Sequence, residues 1–82
     1  MKLLQTVETA PGYRVVLYVD NVGAYHIEAQ QHISTTNGSL PWEFNREGYR
    51  ACTGKITLSY DDAVRSLNDL ADRQREYAHG RF

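Results

Sequence analysis

The segment Tyr13–Asp20 and the turn after it constrain the fold more than any other part of the chain. Every other residue of this segment is apolar: Tyr13, Val15, Leu17 and Val19. This alternation predicts a β-strand with one buried face. Asn21-Val22-Gly23 then fits a three-residue hairpin loop that ends at a glycine with positive φ. In that register Val19 faces Tyr25 and Leu17 faces Ile27, and a slip of one residue would bury polar side chains instead.

The same alternation, interrupted by Gly, Pro and Asn turns, continues over the first two-thirds of the chain, and the last third has helical periodicity. The predicted class is therefore α+β, an antiparallel four- to five-stranded β-meander followed by one C-terminal α-helix packed on one face of the sheet. We expect a single domain over residues 1–82. The predicted strands are roughly 2–9, 13–20, 24–36, 39–45 and 49–58, and the predicted helix is roughly 60–78.

Two further turn signals frame the predicted strand 39–45. Asn37-Gly38 favours a two-residue hairpin turn, and Arg46-Glu47-Gly48 repeats the pattern of the first turn. The resulting register sets Phe44 opposite Gln31 and Glu43 opposite His32. The first turn of the chain, at Ala10-Pro11-Gly12, likewise predicts that Thr9 faces Tyr13 and that Leu3 and Val7 join the apolar face.

Trp42 and Phe44 are the two large aromatic residues of strand 39–45, and both are predicted to point to the apolar face. The register of the last hairpin sets Trp42 against Cys52, the only cysteine of the chain. We therefore expect a reduced thiol in the core rather than a reactive nucleophile.

The C-terminal helix has a clear start signal. Ser59 is an N-cap residue with Asp62 three positions on, and Asp61 and Asp62 lie in the first turn, where the helix dipole favours carboxylates. An apolar stripe with helical spacing follows and is expected to pack on the sheet: Ala63, Val64, Leu67, Leu70, Ala71, Tyr77 and Ala78. A single helix covers two or three strands of a sheet, so part of the apolar surface is expected to remain for a partner.

Composition narrows the function classes. The chain has 82 residues, a net charge of −1 and nine Lys and Arg residues spread along its length, which disfavours a role in nucleic-acid binding. Its first residues do not resemble a signal peptide and no segment is long and apolar enough to span a membrane, so we expect a cytoplasmic protein. No catalytic motif is present, so we expect neither an enzyme nor a cofactor.

His26, Glu28 and His32 alternate along one face of the third predicted strand and offer the nearest approach to a metal or acid–base site. Residues 26 and 32 of one strand are about 20 Å apart, so the two imidazoles cannot share one ion. We interpret this face as a solvated polar surface, and a small enzyme or metal protein using His26, Glu28 and His32 remains an alternative.

The order of strands followed by a helix, ending in KITLSYDDAVRSL, resembles two families of small modules. One is the HicB type of antitoxin, and the other comprises the three-stranded DNA-binding domains of plant transcription factors and phage-type integrases. The resemblance covers about half of the chain and consists of strand alternation and the helix cap. It implies the predicted fold and carries no functional residue over to this chain.

The function expected from these observations is a small non-enzymatic protein-binding module. An inhibitor or antitoxin of phage or mobile-element type, acting by occupying a partner protein's surface, would fit this description, and so would a homodimer. Nucleic-acid binding through the open sheet face, with Arg14 as a contact, is the first alternative. The candidate contact residues are Trp42, Phe44, Tyr18, His26, His32, Glu43 and Tyr49.

Overall fold

The computed structural model describes residues 1–32 and 48–79, and in these ranges four β-strands precede one α-helix. The elements are β1 (Lys2–Ala10), β2 (Tyr13–Val19), β3 (Tyr25–His32), β4 (Tyr49–Thr57) and α1 (Tyr60–His79). The strands form one antiparallel sheet in the order β1-β2-β3-β4, and α1 packs on one of its faces. The predicted α+β class, the antiparallel sheet and the single C-terminal helix are confirmed.

The β2–β3 hairpin forms in the predicted register. Leu17 faces Ile27 and Val19 faces Tyr25. The backbone N–H of Asp20 donates to the carbonyl of Ala24 at 2.9 Å, and Gly23 closes the turn with a φ of 85°. Local turn chemistry and the apolar pattern agree here, so the sequence specifies this hairpin strongly.

β1 pairs with β2 but contains two irregularities, one between Leu3 and Gln5 and one between Glu8 and Ala10. Val7 faces Val15 as predicted, whereas Leu3 faces Tyr18, and Tyr13 faces Ala10 rather than the predicted Thr9. The prediction that Leu3 lies on the apolar face is therefore wrong. A β-bulge inserts one residue into a strand, and this reverses which face the residues beyond it occupy.

β4 pairs directly with β3. Gln31 lies between Tyr13 of β2 and Arg50 of β4, and His32 pairs with Tyr49. The predicted pairings of Gln31 with Phe44 and of His32 with Glu43 are therefore wrong, because both sides of β3 are occupied at these positions. The predicted strand 39–45, residues 33–36 of the third predicted strand and the pairing of Trp42 with Cys52 lie outside the described residues.

The helix starts as predicted and buries part of the predicted stripe, whereas Val64 and Leu70 are half-buried and Tyr77 is 54% exposed. The Asp62 N–H donates to the Ser59 hydroxyl at 3.2 Å, which caps the first turn. Core residues of α1 pack against side chains of β2 and β3: Ala63, Leu67 and Ala71 against Val15, Leu17, Ile27 and Ala29. Val7 of β1 packs against the rim of this cluster, and no residue of β4 is buried. The helix thus covers three of the four described strands.

Gln74 fixes the second half of α1 to the sheet. Its side-chain carbonyl accepts a hydrogen bond from the Thr9 hydroxyl at 2.5 Å, and its amide donates to the Gln30 carbonyl at 3.0 Å. Thr9 lies in the second irregularity of β1, and Gln30 adjoins an irregularity in the β3–β4 pairing. One buried amide therefore joins the helix to two points where the strand ladder is interrupted.

Candidate functional site

The sheet face opposite α1, called here the open face, carries a line of side chains across all four strands. Leu3 pairs with Tyr18, Tyr18 with His26, and His26 with Ile56. These four residues, named the cross-strand row, come from β1, β2, β3 and β4 in turn. Its two aliphatic ends are largely exposed, Leu3 by 52% and Ile56 by 65%. Leu58, just beyond β4, is 79% exposed.

Asp20 holds His26 at the centre of the cross-strand row. One carboxylate oxygen of Asp20 lies 2.8 Å from the His26 Nε2, and the other accepts the backbone N–H groups of Val22 and Ala24 at 3.0 and 2.9 Å. The hydrogen bond to His26, followed by that of Ala24, holds the pKa of Asp20 below its ordinary value of 3.8. The turn and the imidazole are thus oriented by one ionised carboxylate.

A shallow notch of about 460 Å³ adjoins the row on the β3–β4 side, bordered by residues of both strands: His26, Ile27, Glu28, Gly54, Lys55 and Ile56. Gly54 pairs with Glu28 in a regular register, whereas the irregularity of β4 lies at Cys52. A Cβ atom at Gly54 would approach the Ile27 carbonyl oxygen to 3.0 Å. The glycine therefore marks a close backbone approach rather than a bulge, and it keeps the notch open.

A hydrogen-bonded chain occupies the other end of the open face. The Arg14 Nε donates to the Gln30 side chain at 2.7 Å, and the Gln30 amide donates to the Glu28 carboxylate at 2.9 Å. The Arg14 guanidinium also lies 3.7 Å from the centroid of the Tyr49 ring, and His32 meets that ring edge-on at 4.9 Å. This end is a structured polar surface on which Arg14 contacts the side chains of Gln30 and Tyr49.

The structure places Tyr18, His26, His32 and Tyr49 on the open face, but it does not bring them together. Tyr18 and His26 belong to the cross-strand row, whereas His32 and Tyr49 form the far end of the β3–β4 pair. Trp42, Glu43 and Phe44, the remaining candidate contact residues, lie outside the described residues.

Cys52 does not lie in the core, contrary to the prediction. Its side chain is exposed, at the position where the β3–β4 register shifts between Ala29 and Gln30. Its Sγ lies 3.6 Å from the Gln31 side-chain oxygen, and partial desolvation raises the pKa of the thiol above its ordinary value of 9.0. The residue lies at the bulge in β4, the strand that α1 does not cover. The raised pKa keeps the thiol protonated, which is its less reactive form.

The face with His26, Glu28 and His32 does not assemble a metal site in residues 1–32 and 48–79, where no three His, Cys, Asp or Glu side chains are grouped as ligands. His26 contacts Asp20, Glu28 contacts Gln30, and His32 contacts Tyr49. Each polar side chain of the alternating set is therefore engaged by a different neighbour.

A second concavity, a cleft of about 390 Å³, lies on the helix side of the sheet. It opens between the second half of α1 and the uncovered strand β4, and Leu70, Tyr77 and Ala29 supply apolar walls. Its amide side chains already bond within the protein, since Gln74 is held by Thr9 and Gln30 and the Gln31 amide donates to the Tyr13 hydroxyl at 3.2 Å. The cleft is thus mainly an apolar depression.

The outer surface of α1 alternates in charge. Three arginines each lie near an aspartate one turn earlier, at 3.7, 3.2 and 3.0 Å: Arg65 with Asp62, Arg73 with Asp69 and Arg75 with Asp72. Such pairs contribute little to stability, but they balance the charge of the helix surface. The described part of the helix therefore offers no continuous basic stripe to a phosphate backbone.

Leu3, Gly54, Ile56 and Asp20 belong to the row, the notch or the turn beside them, and the sequence did not identify them as such. Ile56 and Gly54 follow from the alternation of β4 once its pairing with β3 is known. The Leu3 position depends on the bulge in β1, for which the sequence has no marker. Asp20 had a usable signal, because an Asp before a hairpin loop commonly binds the backbone N–H groups of that loop.

In the described part of the chain, α1 is not long and apolar enough to cross a membrane. No family model matches the chain, and comparison with curated proteins and with solved structures likewise finds no match.

Proposed function

We propose that this protein is a small non-enzymatic binding module that recognises another protein through the cross-strand row on its open face. The observation that carries the proposal is the exposure of aliphatic side chains at both ends of the row, at Leu3 and Ile56. Exposed aliphatic residues aligned across a sheet, with a tyrosine and an oriented histidine between them, have the composition of an interface centre.

The energetic argument favours a protein partner. Complete burial of a Leu or Ile side chain contributes about 1.5 to 3 kcal/mol, and Leu3 and Ile56 still expose 52% and 65% of their surface. Burying the remainder would therefore contribute about 2 to 3.5 kcal/mol toward the roughly 8 kcal/mol of a micromolar association. Tyr18 adds a rigid aromatic side chain with a hydroxyl group, a residue type enriched in interface hot spots. The row extends across four strands, from Leu3 to Ile56, and an extended surface with exposed aliphatic ends suits a protein partner.

Charge disfavours nucleic acid as the partner. Glu28 and Asp20 lie next to the row and would repel phosphates, and Arg14 is already bound to Gln30 and stacked on Tyr49. A partner from a phage or mobile-element system, which would make this protein an inhibitor or antitoxin, and a second copy of this chain remain predictions within the same proposal.

Affinity capture from source cells tests the proposal with three proteins: the wild type, Ile56→Asp and Thr53→Asp. Both substitutions add a carboxylate to an exposed position of β4, but Thr53 borders the helix-side cleft. Wild type and Thr53→Asp are expected to capture the same protein, and Ile56→Asp is expected to lose it while keeping its circular dichroism spectrum. A solution mass measurement identifies a second copy as the partner.

Capture that survives Ile56→Asp but is lost in Thr53→Asp would move the binding surface to the helix side and refute the proposal. Binding to DNA or RNA that persists at about 150 mM salt would refute it as well, because the described open face has more carboxylates than uncommitted cations.

A further inference from the structure

The notch at Gly54 lies beside the cross-strand row and differs from it in chemistry. Its floor is backbone, because Gly54 has no side chain and a Cβ there would approach the Ile27 carbonyl to 3.0 Å. Ile56 forms an aliphatic wall, and His26 and Glu28 supply polar atoms at the rim. The notch is therefore a shallow slot with one apolar side and one acidic side.

The acidic side is Glu28. Within residues 1–32 and 48–79 its carboxylate accepts a hydrogen bond from the neutral Gln30 amide at 2.9 Å, and no Lys or Arg of these ranges forms an ion pair with it. Lys55 also borders the notch, but it pairs with Ile27, so its side chain starts on the opposite face of the sheet. Asp20, bound to His26, adds a second carboxylate beside the row.

We infer that the notch receives a lysine or arginine side chain of the protein partner, with the aliphatic stem against Ile56 and the charged group at Glu28. This inference rests on the proposed function and specifies the chemistry of the partner. Long basic side chains lie along apolar surface while their charged ends reach a polar rim, which is the arrangement that this slot provides. A guanidinium or ammonium donating to Glu28 would form a charge-assisted hydrogen bond at the edge of the apolar contact.

The same geometry argues against other occupants of the notch. A partner carboxylate or phosphate would face Glu28 and the nearby Asp20, whereas the side chain of Lys55, the bordering cation, starts on the opposite face of the sheet. A purely aliphatic side chain would contact Ile56 but would desolvate the Glu28 carboxylate without replacing its water hydrogen bonds. A basic side chain satisfies both sides of the slot.

Nuclear magnetic resonance titration tests the inference with defined probes. N-acetyl-arginine methylamide is added to the ¹⁵N-labelled protein, and N-acetyl-citrulline methylamide, which has nearly the same shape without the charge, serves as the comparison. The arginine probe is expected to shift the amide signals of Gly54 and Ile56 in a saturable manner, with an affinity about fivefold above that of citrulline, the size of a half-exposed ion pair.

Matched variants test whether Glu28 causes the preference for the arginine probe over the citrulline probe. Glu28→Gln is expected to abolish the fivefold difference between the probes, whereas Glu8→Gln, which removes an exposed carboxylate elsewhere on the open face, is expected to preserve it. Gly54→Ala is expected to weaken both probes by filling the slot. The inference is overturned if the arginine probe gives no saturable shift at Gly54, or if Glu28→Gln leaves its advantage over citrulline unchanged.

Partner capture separates this inference from the proposed function. Capture that is lost in Ile56→Asp but unchanged in Glu28→Gln supports the proposed function and overturns the basic-side-chain contact. Capture that is unchanged in Ile56→Asp refutes the proposed function. Saturable binding of the arginine probe at Gly54 would still show, in that case, that the notch prefers a cation. If Glu28→Gln captures the partner about fivefold more weakly, and a higher salt concentration weakens capture by the wild type to the same extent, both the proposed function and the basic-side-chain contact are supported.

Discussion

Replacement of Gln74 by methionine tests how α1 is held on the sheet. The substitution keeps a long side chain of similar volume but removes the hydrogen bonds with the Thr9 hydroxyl and the Gln30 carbonyl. An intramolecular hydrogen bond contributes about 1 kcal/mol, and a buried acceptor left without a donor costs about 1 to 3 kcal/mol. Gln30 is only 3% exposed, so water cannot readily replace the lost donor at its carbonyl.

The expected loss for Gln74→Met is therefore about 2 to 3 kcal/mol of the free energy of unfolding, partly offset by the additional apolar surface of methionine. For a domain of this size such a loss lowers the melting temperature by about 10 to 20 °C. Urea denaturation followed by circular dichroism at 222 nm measures the free energy, because α1 contributes most of that signal. Glu76→Met, the same substitution at an exposed position of α1, is the control.

A double-mutant cycle isolates the contact with β1. Thr9→Val removes the donor to Gln74 with little change in shape, and we expect the two substitutions to be non-additive by about 1 kcal/mol. If the free energy of unfolding of Gln74→Met lies within about 0.5 kcal/mol of that of Glu76→Met, the amide does not fix the helix. The reasoning from these two hydrogen bonds is then refuted.

Three further measurements test local features. Asp20 has a lowered pKa when folded, so its contribution to stability is present above its ordinary value of 3.8 and is lost as the pH falls through the folded value. The urea stability of the wild type should therefore exceed that of Asp20→Asn at about pH 6, and the difference should shrink as the pH is lowered below 3.8; a constant difference would contradict this account. Ser59→Ala should lower the free energy of unfolding by about 1 kcal/mol through loss of the helix cap, and no loss would show that the Asp62 N–H is equally well solvated. Cys52 should react with iodoacetamide more slowly than glutathione at neutral pH, because its pKa is raised although its side chain is exposed, and a faster reaction would contradict the desolvation argument.

The parts of the fold that the sequence predicted correctly are those in which local and long-range preferences coincide. The β2–β3 hairpin has alternating apolar residues on both strands and a glycine where the turn needs a positive φ. The helix has a Ser59 cap and an apolar stripe of the right period. In both cases only one arrangement buries the apolar side chains and satisfies the backbone, so the residues alone suffice.

The incorrect predictions of which face a side chain occupies have a common physical origin in β-bulges. The bulges near Leu3 and at Cys52 each add one residue to a strand without a Gly or Pro to mark the position. A bulge interrupts the ladder, and the resulting cost is offset by tertiary contacts such as the hydrogen bond from Gln74 to the Gln30 carbonyl. Such contacts join residues far apart in the sequence, so a strand-by-strand analysis cannot foresee them.

The partner of β3 at Gln31 and His32 was mispredicted for a related reason. Two consecutive hairpin signals, at Asn37-Gly38 and at Gly48, favour neighbouring strands in sequence order, yet β3 pairs with β4 over its whole length. Gly48 does have the positive φ, 84°, that its turn pattern implies. The residues of a turn thus determine its backbone conformation. The pairing of strands depends instead on the register along the whole ladder.

The candidate site was only partly predictable because exposure depends on how much of the sheet the helix covers. Tyr18 and His26 could be assigned to the open face from alternation alone. Leu3 and Ile56 could not be identified as exposed anchors, because an aliphatic residue in an edge strand looks like a core residue until the bulge and the position of α1 are known. The notch at Gly54 likewise needs the β3–β4 register, since its acidic rim comes from a different strand.

The residues that pack between the sheet and α1 differ from those proposed to contact a partner. Leu17, Ile27 and Leu67 are at most 1% exposed and lie between the sheet and α1, so truncating any of them removes core contacts and lowers the free energy of unfolding by about 2 to 5 kcal/mol. Ile56 and Glu28 lie on the opposite face, where the side chains contribute little to that core. Substitutions there should alter partner affinity at nearly constant stability, because the two faces share a backbone but not their packing contacts. The open face is not uniform in this respect, because Val16, which pairs with Glu28, is fully buried, whereas Ile56 is 65% exposed. We therefore expect exposed positions such as Ile56, and not the whole face, to tolerate change without loss of stability.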